Sequence, residues 1–180
     1  MLNDIEKVLF SKEEIAEKVK TLANQIKDEY SDKNPLILCV LKGSLIFTAD
    51  LVRELDFPCQ LDFMQVSSYG NGAETTGKLV IKKDIGTDIK DRHVIVVEDI
   101  LDTGVTLSNL IPELKKRGAA SVALCVLLNK PERREVEVKA DYIGFDIENE
   151  FVIGYGLDYS EKYRNLPFVG VLNRQIYEKK

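Results

Sequence analysis

Histidine occurs once in the 180 residues and cysteine three times, and there is no CxxC pair, P-loop or glycine-rich dinucleotide fingerprint. Each scarcity removes a class of chemistry. The single histidine, His93, opens an apolar run, so a Ser-His-Asp triad would have to recruit it from the wrong end of a strand. Cys39, Cys59 and Cys125 are odd in number and sit in or beside apolar runs. They read as buried free thiols, with neither a disulfide nor a zinc site implied. Without GxxxxGKS or GxxxxGKT there is no P-loop, and without GxGxxG after the first strand there is no dinucleotide motif. No apolar run approaches the ~18–20 residues of a membrane span. The N-terminus, MLNDIEKVLF, lacks the basic-then-apolar order of a signal peptide, so a cytoplasmic protein without a membrane partner is expected. A basic excess is missing too. The formal net charge is −5, which argues against nonspecific nucleic-acid binding. The small clusters Lys82-Lys83, Lys115-Lys116-Arg117 and Arg133-Arg134 keep a regulator that binds RNA through a local patch as a rival.

What is present suffices for one folded domain, expected to span 1–180. The chain is 44% hydrophobic, and Leu, Ile and Val are spread throughout. Ser11-Lys12-Glu13-Glu14 is a capping box, and Ile15, Val19, Leu22 and Ile26 recur at helical spacing, predicting a helix over 11–30. LILCVL (36–41) is apolar on both faces, as central parallel strands are. LIFTADLVREL (45–55) predicts a helix and QLDFMQV (60–66) a strand. KLVIKK (78–83), HVIVVED (93–99) and SVALCVLL (121–128) predict strands, with a helix over 105–117 between the last two. Pro112 should bend that helix or delay its start. ADYIGFDI, FVIGYG and FVGVL predict later short strands. This alternation predicts an α/β fold with a mostly parallel sheet, in which ligands bind beyond the carboxyl ends of the strands. Lys42-Gly43-Ser44, Glu98 to Thr106 and Lys130 all fall at such ends. SSYGNGAETTG (67–77) breaks every pattern, either as a plain hairpin tip or as a lid. As a lid, 69–77 would be poorly ordered without ligands.

The most informative stretch is VVEDILDTGVTL (96–107). Strand-to-helix turns point amides at anions, yet three carboxylates crowd this one. Thr103, Gly104 and Thr106 suit a phosphate monoester: two hydroxyls, and a residue without Cβ where the backbone approaches closely. Val105 offers only its amide. Glu98 and Asp99 suit a sugar diol or a hydrated Mg²⁺, and Asp102 a ring nitrogen that carries a proton. Together they describe a ribose 5-phosphate with a group leaving or arriving at C1. The bland alternative is an Asp-rich turn with an N-cap. An acid-rich phosphotransfer receiver, which a small phosphodonor would label, is a second rival.

That stretch closely resembles the phosphoribosyl-pyrophosphate motif of type I phosphoribosyltransferases. LKGS (41–44), SSYG (67–70), LLNKPERR (127–134) and FVIGYGLDYSEKYRNLP (151–167) resemble, in order, the other signatures of the hypoxanthine-guanine phosphoribosyltransferases. The resemblance spans about residues 36–172. It implies the type I fold, a mostly parallel central sheet flanked by helices. The core would cover about 36–135, with a small hood from about 1–12 and 140–180.

Residue by residue, the resemblance implies that Leu41-Lys42-Gly43 is the pyrophosphate loop. Family members often have a cis peptide before that lysine, and the sequence leaves this bond open. Ser68 and Tyr69 would begin the lid. Glu98 and Asp99 would serve the ribose diol and Mg²⁺, with Asp158 as a further metal-associated carboxylate. Asp102 would face purine N7 as the catalytic group, and Asp102, Thr103, Gly104, Val105 and Thr106 would hold the 5′-phosphate. Lys130 would reach the purine 6-oxygen, Phe151 would stack on the base, Val152 would contact its edge through the backbone, and Arg164 would contact pyrophosphate. Taken singly, Lys130 and Arg164 read as solvated charges, Phe151 as a core ring and Asp158 as an N-cap. The implied reaction joins hypoxanthine or guanine to phosphoribosyl pyrophosphate, with Mg²⁺ as cofactor. The implied assembly is a homodimer or homotetramer. Lys130 only donates, so 6-oxopurines should be preferred over adenine, and a Val152 carbonyl would face xanthine's 2-oxo group, so xanthine should be a poor substrate.

Overall fold

Ser11 does what its spacing to Glu14 predicts. In the computed structural model, which describes residues 1–68 and 79–178, its Oγ accepts from the Glu14 amide at 3.2 Å, and the Glu14 carboxylate accepts from the Ser11 amide at 2.8 Å. This reciprocal pairing satisfies two amides that have no intrahelical partner. Helix α1 then runs Lys12–Tyr30 and buries Ile15, Val19, Leu22 and Ile26 along one face.

A short strand, β1 (Ile5–Phe10), precedes α1. After it come β2 (Leu36–Val40), α2 (Leu45–Glu54), β3 (Gln60–Ser68), β4 (Leu79–Lys83), β5 (His93–Leu101), α3 (Val105–Lys116) and β6 (Ser121–Asn129). β7 (Tyr142–Asp146), β8 (Val152–Ile153), β9 (Val169–Leu172) and a last turn of helix, α4 (Arg174–Tyr177), complete the described chain. Six strands form one sheet in the order β4-β3-β2-β5-β6-β7. All neighbours are parallel except β4, which runs antiparallel to β3 at one edge.

Strand alternation divides the core. Ile37, Ile95, Val97, Cys125 and Leu127 pack on the side of α1 and α2. Leu36, Leu38, Val40, Val94, Val96, Leu124 and Val126 pack against Leu107, Leu110 and Leu114 of α3. Both faces are covered, which is why these strands read as unbroken apolar runs. Each fully buried Leu or Ile contributes ~1.5–3 kcal/mol.

A second sheet, in the order β1-β9-β8, is antiparallel and joins the two ends of the chain. It forms a small hood. Phe10 of β1 stacks on Phe145 of β7, with ring centroids 3.9 Å apart, and ties the two sheets together. Pro112 does not delay α3, which begins at Val105. It lies inside the helix, and its missing N–H costs one bond to the Ser108 carbonyl. Cys39 and Cys125 are buried, but Cys59 is only half-buried. His93 opens β5 as expected, its Nδ1 2.7 Å from the Ser121 hydroxyl. No described helix is long and apolar enough to cross a membrane. Residues 69–77, with the order expected of the lid, lie outside the described residues.

Candidate active site

The carboxyl ends of β2, β5 and β6 bring three breaks in the sequence to one edge of the sheet. A cleft of about 220 Å³ opens there, lined by Val40, Leu41, Glu98, Asp99, Asp102 and Thr106, among others. The β5 strand ends at Leu101, and Gly104 takes the left-handed conformation, φ +84°, as α3 begins. A Cβ at Gly104 would overlap the Val136 carbonyl, so both the turn and the close approach need glycine. The Val105 amide makes a long contact to Thr103 Oγ1 at 3.4 Å. A helix N-terminus over a glycine turn is a ready seat for one phosphate.

Glu98 and Asp99 sit side by side at the end of β5, with Asp99 buried. Burial raises the Glu98 carboxyl well above the usual carboxylate range, and the adjacent Asp99 raises it further. Burial raises Asp99 as well. Two crowded acids with raised proton affinity suit a hydrated dication, which relieves their mutual repulsion. Among the described residues, no group of three or more His, Cys, Asp or Glu surrounds a common point. Glu98, Asp99 and Asp158 therefore do not close a protein-only metal cage. A magnesium ion here would take most of its oxygens from substrate and water, as that ion commonly does.

Asp102 has one carboxylate oxygen, Oδ1, that is buried without a hydrogen-bond partner. Arg133 Nε stands 3.4 Å from it, an ion-pair distance without hydrogen-bond geometry. A buried acceptor without a hydrogen bond is rare. Lys130, just past β6, is 5% exposed, and its Nζ donates to the Glu150 carbonyl at 2.9 Å. Burial pulls the Lys130 ammonium below the ordinary lysine range, while the Asp102 charge acts the other way. Phe151 is 38% exposed. Its ring stacks on Tyr177 at 5.0 Å and meets Tyr159 edge-on at 5.7 Å. Val152 is buried in β8 opposite Val171.

On the other flank, the Leu41–Lys42 peptide is cis. A Cβ at Gly43 would overlap the Asp99 carboxylate, so this loop lies directly against the acidic pair. Gly156 of the hood sits equally close to the Gly43 carbonyl, with φ +103°. Arg164 Nη2 pairs with Asp158 Oδ1 at 2.8 Å, and its Nη1 donates to the Gly156 carbonyl at 2.8 Å. Its Nε is buried without a partner. Asp158 caps a turn, accepting from the Glu161 amide at 2.8 Å, rather than a helix. Lys42 Nζ pairs with Glu161 at 3.0 Å.

Most residues singled out from the sequence thus gather around one edge of the large sheet and the hood above it. Ser68 is the last residue of β3, and Tyr69 lies outside the described residues. Four contributors were not anticipated: Glu150, whose carbonyl holds Lys130; Arg133, which faces Asp102; Arg134, which donates to the Asp102 carbonyl at 2.9 Å; and Glu161 on Lys42. The dipeptide Arg133-Arg134, a candidate RNA patch by sequence, turns both guanidinium groups toward Asp102. Each of the four lies in or beside a quoted motif, but nothing in their spacing shows which way they point.

Comparison with known proteins agrees with this geometry. Residues 7–160 match the family model described as phosphoribosyl transferase domain. A hypoxanthine-guanine phosphoribosyltransferase of Streptococcus pneumoniae is 54% identical over 175 residues, covering 97% of each chain. One from Bacillus subtilis is 48% identical over 178 residues, covering 99% of each. The crystal structure of a hypoxanthine phosphoribosyltransferase from Staphylococcus aureus superposes with a TM-score of 0.96 at 42% identity, covering 99% of this chain and 97% of that one. The chain belongs to the phosphoribosyl transferase family, among the hypoxanthine-guanine phosphoribosyltransferases.

Proposed function

We propose that the protein transfers the 5-phosphoribosyl group of phosphoribosyl pyrophosphate to hypoxanthine or guanine, giving IMP or GMP and pyrophosphate in purine salvage. The observation that carries this is a matched pair near the ends of adjacent strands: Asp102 Oδ1, a buried acceptor with an ion pair to Arg133 but no hydrogen bond, and Lys130, a buried group that only donates. A 6-oxopurine protonated at N7 answers both.

The amides and hydroxyls of Asp102 to Thr106 seat the 5′-phosphate at the start of α3. Glu98 and Asp99 accept from the ribose hydroxyls. Ser68, at the end of β3, is assigned to the substrates as well. The Leu41–Gly43 loop and Arg164 face the pyrophosphate, where the partnerless Arg164 Nε is a donor in waiting. Purine N9 attacks C1 as the bond to pyrophosphate lengthens. Asp102 takes the N7 proton, so ring electron density flows to N9. Phe151 stacks on the base, and a Val152 carbonyl accepts from its N1–H or 2-amino group. Lys130 turns from the Glu150 carbonyl to the 6-oxygen. Adenine presents a donor to that donor, and xanthine a carbonyl to a carbonyl. Glu98, Asp99 and Asp158 would help hold a hydrated Mg²⁺, which would supply positive charge to offset that developing on the leaving group. The working enzyme is read as a cytoplasmic homodimer or homotetramer, which light scattering checks.

A spectroscopic assay with each of four purines, with and without Mg²⁺, tests the whole reading. Turnover of hypoxanthine or guanine that stops without Mg²⁺ is expected, with little adenine or xanthine use. Asp102→Asn should lower kcat by ~10²–10⁴, and a near-native kcat removes Asp102 from the proposed role.

A further inference from the structure

We infer that Arg134 is a positioning residue: it fixes the direction of the amides in the 5′-phosphate loop. This rests on the transferase reading and deepens it. The Arg134 guanidinium donates through Nε to the Asp102 carbonyl at 2.9 Å and through Nη2 to the Leu101 carbonyl at 3.2 Å. It also reaches the Val138 carbonyl at 2.9 Å and Asn129 Oδ1 at 2.6 Å. Next to it, the amides of Glu135 and Val136 both donate to the Thr103 carbonyl, at 2.9 and 3.0 Å. Three successive carbonyls of the loop, those of Leu101, Asp102 and Thr103, are therefore drawn toward the segment that follows β6.

In a planar trans peptide the C=O and the following N–H point in opposite directions. Pulling those carbonyls one way turns the amides of Asp102, Thr103 and Gly104 the other way. The two sides of the loop are distinct. Arg134 lines a separate cavity of about 370 Å³ with Asn129, Pro131 and Val138 and does not line the active-site cleft, while Leu101 borders both. A lysine cannot replace this brace, since one ammonium has no planar fork to span four acceptors. The purine side keeps ties of its own beside its bond to Arg134. Asn129 is in ladder register with Leu101 and Asp146, and its Nδ2 donates to the Asp146 carboxylate at 2.7 Å. Loss of the brace should therefore be felt at the phosphate and hardly at the base.

The test is steady-state kinetics of Arg134→Lys with each substrate varied in turn, beside thermal unfolding. Expected is a fall of about 10–100-fold in kcat/KM for phosphoribosyl pyrophosphate, carried mainly by KM, with the hypoxanthine KM within about 3-fold of wild type. Guanidinium ion at non-denaturing concentration should lower the raised KM of Arg134→Ala, and methylammonium should not. If the arginine variants do not fold, Asn129→Ser takes away one acceptor of the guanidinium together with the bond to Asp146, and Asp146→Ala, which loses only the second, is its control. A selective rise of about 3-fold in the phosphoribosyl pyrophosphate KM is then expected. An unchanged KM for that substrate in a folded variant, or equal losses for both substrates, overturns the inference. Wild-type protein that turns over neither purine removes the transferase reading and the brace with it, whereas active wild type with unaltered variants removes the brace alone.

Discussion

Lys130 shows how much a single residue depends on its surroundings. An ammonium on a flexible stem is normally solvated, and here it is 5% exposed with a backbone carbonyl as partner. Burying such a group costs free energy unless a donor–acceptor pair compensates. The Glu150 carbonyl supplies that pairing. A donor-only group also sets specificity by polarity, whereas an amide both donates and accepts. Lys130→Gln should therefore raise the KM for hypoxanthine about 10-fold or more and narrow its advantage over adenine. Competition between the two bases checks this, and an unaltered hypoxanthine-to-adenine ratio removes Lys130 from base selection. Asp102 and Glu98 carry the same lesson. Their residue types were informative in the sequence, but the orphaned oxygen of one and the raised proton affinity of the other exist only in the packed turn.

At the scale of elements, β3 and the connection after β4 are locked by one carboxylate. Asp62 accepts from the Gly86 and Thr87 amides at 2.9 and 2.8 Å and from the Thr87 hydroxyl at 2.8 Å. Burial pushes its carboxyl up, but these bonds and the Phe63 amide outweigh it and hold it below the ordinary aspartate value. The folded protein thus binds that proton less tightly than the unfolded chain. The stability Asp62 contributes is present above the ordinary value of about 4 and is lost as pH falls through the lower folded one. Asp62→Asn should cost ~1–3 kcal/mol at neutral pH, and the deficit should shrink as the pH is lowered past 4. Denaturant unfolding of both proteins from pH 7 to pH 3 measures this. A constant deficit across that range would place the effect in packing rather than charge. Periodicity located the long elements well, because α1 and the central strands bury whole faces. It missed β1, whose burial alternates poorly, and the single turn of α4. The ends of β5 and β6 each extend beyond the apolar run, since ladder bonds continue after the side chains turn polar.

Taken whole, the molecule lines its cleft with the large sheet and sets the hood beside it, Gly156 against Gly43. The large sheet supplies the acidic turn, the Lys42 loop and Lys130. The hood supplies Phe151, Asp158 and Arg164, and touches the large sheet's loop through Gly156 and Gly43. A ligand spanning the cleft joins both parts and stabilises them together by mass action, ~2.7 kcal/mol at a hundredfold excess over Kd. Mg²⁺ with phosphoribosyl pyrophosphate should therefore raise the unfolding temperature by several degrees, more than Mg²⁺ or the purine alone. A thermal-shift titration decides it, and no shift with the magnesium complex would count against the cleft as the binding site.

The residues alone determined the α/β order, the buried strands, the capped first helix and the turn at Glu98 to Thr106, because periodicity and turn chemistry are local properties of the chain. They also singled out Glu98, Asp99, Asp102, Thr103, Gly104 and Thr106, which line the cleft. Only the tertiary structure decided which groups lack partners, how Arg133 and Arg134 turn toward Asp102, and how the chain's two ends pair into a hood. Those outcomes depend on contacts between residues far apart in sequence, and no local pattern encodes the direction of a side chain across such a distance.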